Sequence, residues 1–324
     1  MIRYLTKPVN LLLAVYTYLR SSVTGNPEVA AMPLSIGVEL TNNCNLTCPE
    51  CITGSGRMNR EHGFMDISLY RRLLDEIQPY LLNVNLYFQG EPLLHPDLLS
   101  FVSASRQIVS VISTNGHYLS EEKSHGIVNS GLRKIIISLD GSDQETYSAY
   151  RRNGEINKVI EGIKNVADAK KALRSSMKIE IQVLVNKLNE HQVPAIKKLA
   201  ASAGASLRLK SMQVMDERNA GKWMPSKNRL RRYSLSDEGY KTRNSMPDRC
   251  ARMWFNPVIT WDGKVIPCCF DKNAEHIMGD LYTDSFRDIW DGPKYRIFRK
   301  SVLTNRGLIN ICRTCTSGLK GVAT

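Results

Sequence analysis

From residue 35 to residue 212, short apolar runs alternate with stretches of helical period. The runs at 35–41, 83–89, 109–114, 134–140, 178–185 and 206–212 are brief and partly β-branched, and turn residues end several of them. These are the marks of buried strands. Between them, apolar residues recur at three- and four-residue steps. Ile67, Leu69, Tyr70, Leu73, Leu74 and Ile77 predict a helix near 67–82; Ile156, Val159, Ile160, Ile163, Val166 and Ala167 predict one over 155–173. Further helices are expected near 96–107, 120–130 and 190–203. Six β/α units in series argue for an α/β fold with a parallel sheet and outer helices, a partial (β/α)6 TIM-like barrel. Such barrels place their chemistry at the carboxyl ends of the strands.

The flanks follow other patterns. Residues 1–30 form a leader whose stretch Val9–Leu19 is mostly apolar, with Arg3, Lys7 and Arg20 around it. Eleven residues are too few to span a bilayer, which takes about 20. Two readings stay open: a helix packed on the barrel, which is preferred, or weak contact of 1–20 with a membrane surface. Residues 213–249 lack apolar periodicity and are expected to be a basic linker between domains, covering the substrate opening. Beyond it, 250–324 is expected to be a small α+β domain. There Trp254–Trp261 reads as a strand, Asp262-Gly263 as a hairpin turn and Lys264–Pro267 as the return.

Apolar content of 42% and charged content of 23% are ordinary for a globular chain, but the net charge of +13 is not. A basic surplus attracts anions without choosing among them. Part of it lies in 222–243, as Lys222, Lys227, Arg229, Arg231, Arg232, Lys241 and Arg243. Neither an RNP motif nor a helix-turn-helix pattern accompanies it, so no nucleic-acid partner is expected. The eight cysteines fall at 44–51, 268–269 and 312–315, with Cys250 alone. The leader lacks a small-residue cleavage site, which suggests a cytoplasmic protein, with membrane association left open. In a reducing compartment, tight cysteine groups read as metal ligands rather than disulfides.

The densest group follows the first predicted strand: Cys44-Asn45-Leu46-Thr47-Cys48-Pro49-Glu50-Cys51. Three thiolates at C-x₃-C-x₂-C spacing suit a soft metal centre. Three ligands to a four-iron cluster leave one iron open for a substrate or cosubstrate. This loop resembles the signature of the radical S-adenosylmethionine (radical SAM) enzymes. The resemblance implies a [4Fe-4S] cluster on Cys44, Cys48 and Cys51, with SAM chelating the unique iron. One electron would then cleave SAM to methionine and a 5′-deoxyadenosyl radical that takes hydrogen from the substrate. Where many relatives carry an aromatic residue before the third cysteine, this chain has Glu50.

The other strand ends extend the resemblance. Gly90-Glu91-Pro92 is similar to the family's Gly-Gly-Glu-Pro motif, which contacts the SAM amino group; the first glycine is replaced by Gln89. Asn115, Ser138 and Asp140 end the third and fourth strands, where the family offers polar groups to the SAM ribose and carboxylate. Arg151 resembles an arginine that pairs with that carboxylate, with Arg152 as its rival. Asn and Asp before Gly are also ordinary turn formers.

Cys250 and Cys268 bracket the predicted hairpin, and Cys312 and Cys315 supply a C-x₂-C. The set resembles the SPASM extension, in its shortened form called twitch, and so implies a second, auxiliary [4Fe-4S] cluster. Cys269 is left over, either a spectator or an exchange partner for Cys268. A structural Zn(Cys)₄ site is the rival reading. Such an auxiliary cluster would accept the second electron, giving net oxidation of a small anionic or lipid-linked substrate. An electron donor such as flavodoxin or ferredoxin is implied. A ribosomal peptide is the alternative substrate; the leader is shorter than the peptide-binding domain many peptide-modifying members carry. The chain end, Gly321-Val322-Ala323-Thr324, differs from the Gly-Gly tail of a related nucleotide cyclase. A non-catalytic Fe–S or zinc module for an acidic partner is the reading from another class.

Overall fold

The computed structural model describes residues 2–243, 246–313 and 315. The chain tail at 321–324, and the part of the expected C-terminal domain at 314 and 316–320, lie outside them. The strands are β1 Ser35–Val38, β2 Asn83–Asn85, β3 Val109–Thr114, β4 Lys134–Ser138, β5 Lys178–Val185, β6 Ser206–Ser211, β7 Tyr233–Ser236, β8 Gly239–Thr242, β9 Val258–Ile259, β10 Lys264–Ile266 and β11 Gly279–Asp280. The helices are α1 Ile2–Thr24, α2 Ile67–Ile77, α3 Leu98–Ala104, α4 Glu121–Asn129, α5 Gln144–Tyr150, α6 Ile156–Ala172, α7 Val193–Ser202, α8 Ala220–Trp223, α9 Arg252–Phe255, α10 Phe286–Trp290, α11 Pro293–Asn305 and α12 Asn310–Arg313.

The described chain divides into two units. One holds residues up to 42, 59–111 and 246–314. The other holds 43–58, 112–245 and 315 onwards.

In the first unit, β1 pairs in parallel with β2, and β2 with the start of β3. On its other side β1 pairs in parallel with β9, which turns back antiparallel into β10 and then β11. The hairpin expected after Cys250 therefore adds strands to the β1 sheet. Its turn works because Gly263 takes φ +77°, a left-handed conformation that glycine adopts at no steric cost. The expected strand across Trp254 and Phe255 is helix α9 instead; Met253 and Trp254 are buried from that helix. α2 buries Leu69, Tyr70, Leu73, Leu74 and Ile77, five of the six periodic residues read from sequence, with Ile67 half-buried, and Asp66 caps it by accepting from Ser68 N at 2.7 Å.

In the second unit β4, β5 and β6 pair in parallel, and β4 and β5 are rich in buried Ile and Val. α6 spans close to the predicted range and is buried through Val159, Ile163 and Val166. α5 was not legible, because its seven residues Gln144–Tyr150 are mostly polar; Asp143 starts it by accepting from Thr146 N at 2.8 Å.

Residues 213–249 are not a bare linker. They carry α8 and the antiparallel pair β7–β8, and bury Val214, Ala220, Trp223, Met224, Leu230 and Tyr233. Isolated aromatic and aliphatic anchors hold this segment, so it has no period to detect.

Candidate functional site

In the second unit the three-cysteine loop lies on one apolar cluster. Leu46 and Cys48 are buried with Tyr150, Met212, Val214, Trp223 and Tyr233, and Cys44 and Cys51 pack against the same cluster. The loop is a series of turns rather than a strand or helix. Cys51 N donates to Cys48 O at 3.2 Å, and Thr47 N donates to Arg152 O at 3.1 Å, tying the loop to the end of α5. Asn115, at the end of β3, donates to Asn45 Oδ1 at 2.7 Å and lies 4.0 Å from Cys44 Sγ. Asn115 Oδ1 accepts from the backbone and ring of His117. His117 Nε2 accepts from Glu155 N at 2.9 Å, so its proton sits on Nδ1. Burial holds this imidazole below its usual pKa.

Arg151 sits beside Cys48. Its Nε donates to Asp140 Oδ2 at 2.6 Å, and Asp140 Oδ1 accepts from Leu184 N at 2.6 Å. Asp140 is fully buried, so it faces the protein and holds Arg151 in place. Burial lowers the pKa of Arg151 and the Asp140 carboxylate raises it; the net direction is upward, so the guanidinium stays charged. Burial pushes the Cys48 thiol up to about 11, against the pull of Arg151. Arg152 is exposed. Ser138, the last residue of β4, is buried.

Glu50 stands where many members of the resembled family carry an aromatic residue, and the structure gives it a role that sequence reasoning missed. Its buried carboxylate accepts from Trp223 Nε1 at 3.0 Å and Met215 N at 2.9 Å. It thereby fastens the 213–224 segment to the cysteine loop. The departure from the family pattern was the only signal of this in the sequence.

In the first unit, Gly90 carries φ +73°, and a Cβ there would lie 2.4 Å from Thr41 O and 2.7 Å from Asn42. The motif's demand for a left-handed residue falls on the glycine that is kept; Gln89 is not among the positive-φ residues. Gly90→Ala is expected to lose ~1–2 kcal/mol from conformation alone, with the backbone clash in addition. Urea unfolding measures it, and a loss under ~0.5 kcal/mol would reject the strain. Glu91 is buried and caps the following turn by accepting from Leu93 N at 3.0 Å.

The first unit also holds Cys250, Cys268, Cys269 and Cys312. Cys268 and Cys312 are buried, as is Cys315 of the second unit. None of the eight cysteines forms a disulfide. Cys268 Sγ accepts from Phe270 N at 3.4 Å, while Cys269 Sγ accepts from Arg252 Nη1 at 3.5 Å. Among the described residues, no group of three or more Cys, His, Asp and Glu side chains is arranged around a single metal ion. A cluster asks for less convergence, since each thiolate takes a different iron.

Tyr295 gives the cysteines of the first unit a further fit. Its hydroxyl is buried without a hydrogen-bond partner, and the Cys268 and Cys250 thiols act on it electrostatically. A buried donor left unmade costs free energy, and cluster or thiolate sulfur would satisfy it. Tyr295→Phe keeps the ring stacked 4.0 Å from the buried Arg299 guanidinium. If Cys250 and Cys268 hold the auxiliary cluster, the substitution is expected to lower that cluster's reduction potential by about 40 mV, the equivalent of one ~1 kcal/mol hydrogen bond. Redox-poised EPR reads the shift, and an unchanged potential would refute the contact.

Comparisons with known proteins show what the chain is similar to. Residues 38–200 match the family model described as the radical SAM superfamily, and residues 250–316 match an iron-sulfur cluster-binding domain, SPASM. The chain is 30% identical over 182 residues to mycofactocin maturase MftC of Mycobacterium tuberculosis, a match covering 55% of this chain but only 44% of that protein. It is 24% identical over 289 residues to the S-adenosyl-L-methionine-dependent 2-deoxy-scyllo-inosamine dehydrogenase of Niallia circulans, covering 87% of this chain and 92% of that one. In fold it is similar to Streptococcus suis SuiB bound to S-adenosylmethionine, with a TM-score of 0.66 and 15% identity over 94% of this chain and 76% of that one.

Proposed function

Because the chain belongs to the radical SAM superfamily, we propose that it oxidises a small polar molecule by hydrogen-atom abstraction, with an auxiliary cluster taking the second electron. When bound, the first cluster and SAM supply one-electron cleavage of SAM to a 5′-deoxyadenosyl radical. The observation that carries the reading is the three-thiol loop with a charged, held arginine at its middle cysteine.

On this reading Cys44, Cys48 and Cys51 hold the first cluster, and Cys250, Cys268, Cys312 and Cys315 the auxiliary one. Cys269 is a spectator, engaged by Arg252. Arg151 offers a fork of donors to the SAM carboxylate. Asp140 is a positioning residue for Arg151, since its own carboxylate is fully buried. Asn115 and Ser138 orient the loop and ribose side, and Gly90 and Glu91 shape the turn that receives the SAM amino group. The protein's own contribution is to place one carbon–hydrogen bond and keep water out. The dehydrogenase relative favours a small polyol or amino sugar, because the match runs nearly end to end on both chains. A peptide substrate is the second reading, favoured by 25% identity over 296 residues to the PqqA peptide cyclase of Gluconobacter oxydans. The electron donor is assigned to the flavodoxin or ferredoxin class.

The test is anaerobic reconstitution with iron and sulfide, then reduction with SAM. Formation of 5′-deoxyadenosine, raised by an aminocyclitol and not by a cysteine-rich peptide, supports the reading. No 5′-deoxyadenosine under any of these conditions rejects it.

A further inference from the structure

Helix α1 is docked with its polar side inward. Asn10, Ala14, Thr17 and Ser21 are its buried residues, spaced four, three and four apart along one face. They bind the segment that follows. Asn10 exchanges hydrogen bonds with both backbone groups of Met32, at 3.0 and 2.9 Å, and Ser21 Oγ accepts from Glu28 N at 2.9 Å. The opposite face points to solvent, and it is apolar. Leu12 is 71% exposed, Val15 39%, Tyr16 56%, Leu19 56% and Val23 87%. At 100° per residue these five form one stripe without a charge in it. A surface helix of a self-contained domain shows the reverse arrangement, so this stripe marks an interaction face.

We propose that α1 lies in the headgroup region of an anionic bilayer, with the Leu12–Val23 stripe inserted among the acyl chains. Charge selects this occupant over a second copy of the chain. At +13 the protein repels its own copy and is drawn to anionic lipid. Basic groups border the stripe at its C-terminal half: Arg20 donates to Tyr16 Oη at 3.3 Å, and Lys300 reaches Gly25 O at 2.7 Å where α1 ends. Arg20 also pairs with Glu28 at 3.2 Å, so Lys300 carries more of the attraction. The helix lies on the membrane rather than crossing it, because no described helix is long and apolar enough to span one. Apolar insertion together with basic flanks is the pair of signals that makes interfacial binding measurable. The proposal does not rest on the catalytic reading, since vesicle binding needs neither SAM nor a reduced cluster.

The full chain, purified anaerobically, is mixed with phosphatidylcholine vesicles with or without roughly a third phosphatidylglycerol, at physiological salt, and floated on a gradient. The wild type is expected to float with the anionic vesicles and to stay down with the neutral ones. L12E/L19E is expected to lose at least about tenfold in partitioning. L235E, at an exposed leucine of β7, is expected to leave it unchanged. Equal flotation of L12E/L19E and wild type overturns the proposal. So does a wild-type dimer by light scattering that L12E/L19E converts to monomer while vesicles bind neither. If L12E/L19E does not fold, Y16W decides: a blue-shifted emission difference with anionic vesicles supports insertion, and no shift overturns it.

Discussion

Asp140→Asn is expected to destabilise the protein by about 3 kcal/mol and to abolish tight SAM binding. The carboxylate is fully buried, and its partner guanidinium is 14% exposed at a 2.6 Å separation. Neutralising one member of such a pair leaves the other charge stranded, which typically costs 3–5 kcal/mol; the partly open guanidinium places this pair at the lower end. The asparagine keeps an oxygen for Leu184 N, so the loss falls on Arg151 rather than on β5. Arg151→Gln alone strands the carboxylate and is expected to cost at least as much. The double variant removes both charges and should recover to within roughly 1–2 kcal/mol of wild type. SAM affinity should not recover if Arg151 is the cation that receives the SAM carboxylate, as proposed. Urea unfolding and equilibrium dialysis with labelled SAM separate the two effects. Additive losses in the double variant would show that the residues act independently. Normal SAM affinity in the folded double variant would remove Arg151 from the SAM site.

Periodic elements were legible because burial repeats along them. β5 and α6 show this: Ile179, Ile181, Val183 and Val185 are buried along one, and Val159, Ile163 and Val166 along the other. The edges were less legible. β2 was expected over 83–89 and ends at Asn85, because its remaining residues depart toward the left-handed turn at Gly90. The expected basic linker hides a folded segment, since one indole and one carboxylate, Trp223 and Glu50, fix it across 173 residues of sequence. No local pattern reports a bond of that span. Of the site, the cysteines and Arg151 could be read from spacing and resemblance. The placement of Asp140 behind Arg151 could not, because Asp before Gly is equally a turn. Tyr295 gave no sequence signal; its buried, unmatched hydroxyl and its electrostatic coupling to Cys268 and Cys250 appear only in the fold.

Two clusters on separate ligand sets predict that iron can be removed in halves. The reconstituted wild type is expected to bind about eight irons per chain, four for each cluster. Cys48→Ala should leave about four and yield no 5′-deoxyadenosine. With only three cysteines on that loop, losing one leaves two thiolates, too few to retain a cluster that must also keep an iron open. The Cys312→Ala/Cys315→Ala double variant should likewise hold about four irons, yet still cleave SAM slowly, because the first set is untouched. Substrate oxidation should be lost there, since the second electron has no acceptor. The count of eight cysteines fits this division: three for the first site leaves five, enough for a closed four-thiolate cluster and one over, Cys269. Cys269→Ala should therefore keep the full iron content. A zinc site in place of the auxiliary cluster gives a different result, about four irons and one zinc in the wild type with only zinc lost from the double variant. Full iron in the Cys312→Ala/Cys315→Ala protein would mean that these two sulfurs hold no cluster. The second electron would then have to leave by another route.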